Sequence, residues 1–141
     1  MTTGMSYEMI DEGDGLVFRI SGTVTATGMM DATVAGWRHP SWDTIRYQIW
    51  DFSKAADIRI DNTNALAFAD MEISAKRNRI PMRIASVVAD EKMRKICERF
   101  ARQVGSDCIS AATFLDEEDA RKWIAEGMES GVNIEGQDAS S

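Results

Sequence analysis

The chain has 141 residues, 44% of them hydrophobic and 28% charged, and a formal net charge of −7. These proportions fit one folded domain and exclude a disordered chain, and the acidic balance argues against nucleic acid as a partner. No apolar run approaches the ~20 residues of a transmembrane segment, and residues 1–4 lack the basic start and apolar core of a signal peptide.

A soluble, cytoplasmic domain over residues 5–126 is therefore expected, followed by a disordered tail over 127–141, where Glu, Ser, Gly, Asn, Gln and Asp take over. Cys97 and Cys108 suit a reducing compartment and are too few and too far apart for a zinc motif.

Charge is unevenly spread. Residues 76–102 carry nine bases against three acids, a local +6, while the remainder of the chain carries −13. Opposite-sign regions of this size bear on association rather than on fold.

In chain order, 7–10 and 16–21 read as strands joined through Asp11-Glu12-Gly13-Asp14-Gly15, a hairpin. That turn lacks the spacing and closing glutamate of a calcium loop. Gly22 is expected to end the second strand, and Thr25 or Thr27 to cap a helix near 28–38 with Met30, Val34 and Trp37 as its apolar stripe. His39-Pro40 stops it, and the lone histidine reads as a solvated or capping imidazole rather than a catalytic base. A strand over 45–52 and a loop over 53–60 follow. Asp61 or Asn62 then caps a helix over 62–79, its stripe formed by Leu66, Ala69, Ile73 and Ile80, until Pro81 breaks it.

Residues 82–89 have the short, β-branched, apolar character of a central parallel strand. Asp90 caps a helix over 91–104 whose buried face is Met93, Ile96, Cys97, Phe100, Ala101 and Val104, and Gly105 is expected to close it in a left-handed conformation. On that face Cys97 reads as a packed thiol, not a nucleophile. A last strand over 109–115 leads to a helix over 116–126 with acids in its first turn. The predicted fold class is α/β: a mixed, mostly parallel sheet of about five strands, an antiparallel N-terminal edge and about four helices.

Three stretches carry a family resemblance: 18–25 (Phe-Arg-Ile-Ser-Gly-Thr-Val-Thr), 82–90 (Met-Arg-Ile-Ala-Ser-Val-Val-Ala-Asp) and 114–124 (Phe-Leu-Asp-Glu-Glu-Asp-Ala-Arg-Lys-Trp-Ile). Together with the element order they resemble the SpoIIAA-like bacterial family, also described as STAS/SEC14-like. The resemblance implies a SpoIIAA-like fold and a non-enzymatic regulatory or protein-interaction module like the anti-sigma-factor antagonists. Its alternative implication is a carrier of small apolar ligands or lipids. Antagonists accept phosphate on a Ser or Thr of an Asp-Ser-Ser-Gly type motif. The matching Asp61-Asn62-Thr63-Asn64 puts Thr63 at the acceptor position, with Asn64 replacing the glycine and a longer loop before it.

The chain shows no nucleophile elbow, GxGxxG or P-loop, and no cofactor or metal is expected. The acid pairs Asp57/Asp61 and Asp70/Glu72 read as caps and solvated faces rather than catalytic pairs. Lys92, Lys95, Arg99 and Arg102, spaced i, i+3, i+7 and i+10, form one basic ridge opposite the buried face of their helix. Such a ridge suits docking on an acidic protein surface, an anionic headgroup or a second copy of the chain. Nine methionines and four tryptophans suit a core or an adaptable ligand pocket. Exposed edge strands favour a homodimer.

Overall fold

A computed structural model describes residues 4–76 and 78–140, with side chains described through Met128. The elements are β1 (Met5–Asp11), β2 (Gly15–Val24), α1 (Ala26–Trp37), β3 (Tyr47–Ile58), α2 (Asn62–Ala75), β4 (Met82–Val87), α3 (Glu91–Val104), β5 (Ile109–Phe114) and α4 (Glu117–Ser140). They form one five-stranded sheet in the order β1-β2-β3-β4-β5. β1 runs antiparallel to β2 and every other pair is parallel. This mixed sheet with four helices agrees with the SpoIIAA-like architecture expected from the sequence.

The strand order decides where the helices go. Each parallel crossover steps to the next strand in the same direction, and right-handed crossovers then place all three connecting helices on one face. Accordingly α1, α2 and α3 share a core with Leu16, Phe18, Ile20, Trp50, Phe52 and Ile84. α4 is not a crossover between two of the described strands, and it takes the other face. There Ala120 and Ile124 pack on Val17, Tyr47, Ile49, Ala85 and Val87. The alternation of even and odd positions between these two cores is the two-residue period of a strand.

The hairpin turn closes through Glu12 N–H to the Gly15 carbonyl at 2.9 Å, with Gly13 at φ +88°. Gly22 does not end β2. At φ +81° it sits where the β2–β3 register shifts, and the strand continues to Val24. That extension gives β3 a partner beyond the end of β4, so the expected loop over 53–60 is strand as far as Ile58, with Lys54 opposite Ser21 and Ile58 opposite Val24. β4 lies between β3 and β5, inside the sheet as its apolar run requires.

Thr25 caps α1, its hydroxyl accepting from Gly28 N at 3.0 Å. Met29, Ala32, Thr33 and Gly36 form the buried face, one step round from the expected Met30, Val34 and Trp37, which are all half-buried. Small residues decide this. A methyl group on Gly36 would lie 3.0 Å from the Phe18 ring, so the helix packs closely only on that side.

α2 ends at Ala75 instead of 79, because the Asn78 side chain accepts from Ile80 N at 3.0 Å and holds the chain in a turn. Its buried residues are Ala65, Ala69 and Glu72, whereas Ile73, expected in the core, is 39% exposed. α3 matches its expected span. Asp90 caps it by accepting from Met93 N at 2.8 Å, and Phe100 and Ala101 are only half-buried. Gly105 ends α3 at φ −55°, so the expected left-handed closure is not used.

α4 continues to Ser140, past the stop expected at 126. Gly127 alone costs a helix only about 1 kcal/mol and need not end it. The expected disordered tail falls largely on residues whose side chains lie outside the described set.

Candidate functional site

Between α1, α2, α3 and the sheet lies a cavity of about 60 Å³. A single water needs roughly 10–15 Å³ by this measure, so there is room for a group of several atoms. Its apolar lining includes Met29, Trp50, Phe52, Met93 and Ile96, all buried. Among its lining residues only Phe68 of α2 and Phe100 of α3 are half-exposed, which makes them the mouth. A wider depression of about 400 Å³ beside Trp37, Trp42 and Met71 lies open to solvent and encloses nothing.

Among the described residues one carboxyl group lines the cavity: Glu72, 4% exposed. Its Oε2 accepts from Trp37 Nε1 at 2.9 Å and its Oε1 from Gln48 Nε2 at 2.7 Å, while Gln48 Oε1 accepts from Trp50 Nε1 at 2.8 Å. Thus α1, α2 and β3 each supply part of one buried polar chain. Among the described residues no cation pairs with Glu72. Burial raises its pKa above the ordinary carboxylate value, opposed by the hydrogen bonds from Gln48 and Trp37. The reading of Asp70/Glu72 as a solvated pair is corrected accordingly. Two positions apart on a helix, Asp70 is exposed and accepts from Gln103 at 3.2 Å, and Glu72 faces the core.

The other polar lining groups are already engaged. Thr33 Oγ1 donates to the Met29 carbonyl at 2.7 Å. Burial pushes the Cys97 thiol up to about 12, opposed by its hydrogen bond with Ser86, so it stays a packed thiol. His39 lies outside the cavity. Its Nδ1 accepts from Ser41 N at 3.1 Å and its Nε2 is 3.5 Å from Asp11, a turn-capping role.

The residues singled out in the sequence occupy the surface. Lys92, Lys95, Arg99 and Arg102 are exposed along α3, a ridge about 15 Å long at 1.5 Å per residue. Both neighbouring acids turn to Arg94, which bonds Glu91 at 2.7 Å and Glu98 at 3.0 Å. Among the described residues this leaves the four ridge bases without a carboxylate partner. Lys92 donates instead to the Ile58 carbonyl at 2.9 Å. The +6 segment is divided in space, because Arg83 belongs to the α4 side, donating to the Trp123 carbonyl at 2.7 Å and stacking 4.6 Å from its ring.

Thr63 is exposed in the first turn of α2. Asp61 and Asn64 cap that helix reciprocally, at 3.1 Å and 3.0 Å. Asp57 pairs with Arg59 at 2.7 Å, so the Asp57/Asp61 pair is divided between an ion pair and a cap.

The sequence also gave no sign of an ionic chain on the opposite face. Arg19 bridges Asp51 at 2.9 Å and Glu117 at 2.8 Å; Arg121 bridges Glu117 at 2.7 Å and Glu12 at 2.8 Å; Tyr47 donates to Glu12 at 2.6 Å. The Arg19 and Arg121 guanidiniums hold Glu117 down to about 2, and burial with the Glu12 contact pushes Tyr47 up to about 12. These groups pin the first turns of α4 to the sheet.

No model of a known protein family and no curated protein matches the chain. Among solved structures it is similar to an uncharacterised protein of the DUF3478 family with a SpoIIAA-like fold from Shewanella loihica PV-4. Identity is 15%, the TM-score is 0.49, and the alignment covers 86% of this chain and 93% of that one.

Proposed function

We propose that this domain is a non-enzymatic binding module that takes a small, mainly apolar ligand into the cavity between α1, α2, α3 and the sheet. The carrying observation is the enclosed apolar lining with one buried polar chain at Glu72. Small-molecule sites have this composition, apolar walls with a few convergent polar groups, one of perturbed pKa. A ligand larger than a few atoms enters by displacing Phe68 and Phe100. The engagement of His39 and the protonated state of Cys97 favour binding over covalent chemistry. Organic extraction of the purified protein followed by mass spectrometry tests this reading. A small molecule recovered in stoichiometric amount supports it, and an empty extract from protein that also fails to bind added probes refutes it.

A second reading rests on a different observation. With Glu91 and Glu98 both on Arg94, the ridge of Lys92, Lys95, Arg99 and Arg102 has unspent positive charge on an acidic protein. Docking on an acidic protein partner is the use this favours, in keeping with the antagonist resemblance, and the exposed hydroxyl of Thr63 meets the first requirement of a phosphate acceptor. Reversing Lys95 and Arg99 to glutamate then leaves the fold intact and slows association, while the wild-type rate falls with added salt. Equal recovery of partners by both proteins at low and high salt refutes docking. A cytoplasmic address and self-association through the edge strands β1 and β5 complete the proposal; the free thiols Cys97 and Cys108 favour the former.

A further inference from the structure

The polar chain in the cavity has a direction. Trp37 Nε1–H, Trp50 Nε1–H and a Gln48 amide proton are all donated within it, and the Thr33 hydroxyl is donated to the Met29 carbonyl. What remains unspent at Glu72 once it is ionised is acceptor capacity, because a carboxylate offers about four lone-pair sites and two are filled. Among the described residues no cation approaches to use the rest.

We infer that the cavity selects small apolar molecules carrying one hydrogen-bond-donating head, an amine before an alcohol, and rejects those ending in a carboxylate. This rests on the cavity reading above and adds the chemistry of the head group. An ammonium or hydroxyl meets Glu72 with the donor the site lacks, and its alkyl part lies against Met29, Trp50, Met93 and Ile96. Against the ionised form of Glu72 a fatty-acid carboxylate brings a second acceptor-only, like-charged group with no intervening cation among the described residues, an arrangement that strongly disfavours binding.

The test is a matched series of n-butylamine, 1-butanol and butyrate, titrated into the whole 141-residue chain with the indole N–H signals followed by NMR. Trp37 and Trp50 report on the cavity. Trp42, bonded to the Ala75 carbonyl, and Trp123, on the opposite face, are internal references. The amine is expected to shift Trp37 and Trp50 selectively and to bind at least about tenfold more tightly than butyrate, the scale of discrimination a buried polar group provides. In Glu72→Gln that preference should collapse, with the overall spectrum confirming the fold. The wild-type series decides the matter alone if the variant does not fold. Equal binding of all three probes overturns the head-group inference and leaves the cavity reading standing. Tighter binding of butyrate overturns the inference outright, and no selective shift from any probe overturns both.

Discussion

Replacing Glu72 by glutamine isolates the energetics of the buried acid. The folded-state pKa of Glu72 is raised by burial, so between its unfolded value near 4.5 and that raised value the folded chain holds a proton that the unfolded chain has lost. Its contribution to stability is therefore fully present below about pH 4.5 and is lost as pH rises through the folded pKa. The slope cannot exceed about 1.4 kcal/mol per pH unit, the worth of one proton. Glutamine does not titrate, but its amide must face Trp37 Nε1 or Gln48 Nε2, donor against donor, at a cost of about 1–3 kcal/mol. The wild type should thus lead the variant by most near pH 4.5, with the gap narrowing toward neutrality. Urea unfolding of both proteins from pH 4 to 8 measures this, and other titrating groups cancel in the difference. A gap that is flat with pH, or widens as pH rises, refutes the assignment of Glu72 as a desolvated acid.

Further outcomes follow from the packing and the ionic chain. Glu117, held down to about 2 by Arg19 and Arg121, contributes stability that is present above about pH 4.5 and is lost as pH falls toward 2. Glu117→Gln should cost up to about 1 kcal/mol at pH 7, modest because the chain is partly solvated, and nothing near pH 2; equal losses at both pH values contradict the network. Phe18→Ala should cost about 3–5 kcal/mol at its 1% exposure, and Phe100→Ala distinctly less, about 1–3 kcal/mol, because Phe100 is half-buried at the cavity mouth. Chemical denaturation giving equal losses would show that the face of α3 is misassigned. Light scattering at high micromolar concentration should report a dimer, and a monomer there rules out pairing through β1 or β5.

The parts of the fold readable from sequence are those with strong local pattern. β4 has a short, mostly apolar, β-branched run, α3 has a capping Asp90 and a consistent face, and the hairpin has its glycines. Where a neighbour decided the outcome, local reasoning failed. Residues 53–58 are strand only because the bulge at Gly22 lets β2 run on beside them. The α1 stripe turned because Gly36 and Ala32 permit close approach to Phe18 where bulkier residues would not. Glu72 was the largest miss. Between Met71 and Ile73 an acid reads as solvated, and only tertiary contact reveals its donors. One signal was present: Gln48 interrupts the otherwise apolar run from Tyr47 to Trp50, and a buried amide demands a polar partner from elsewhere in the chain.

The proposal that the cavity binds a small apolar ligand meets its most direct test in methionine-methyl NMR of the protein under xenon pressure. Met29 and Met93 line the cavity, whereas Met128 packs on the opposite face of the sheet and serves as the reference. Saturable shifts of the Met29 and Met93 methyls, with Met128 unmoved, are the predicted result. Uniform small shifts across all the methyls, or none at Met29 and Met93, would contradict the account.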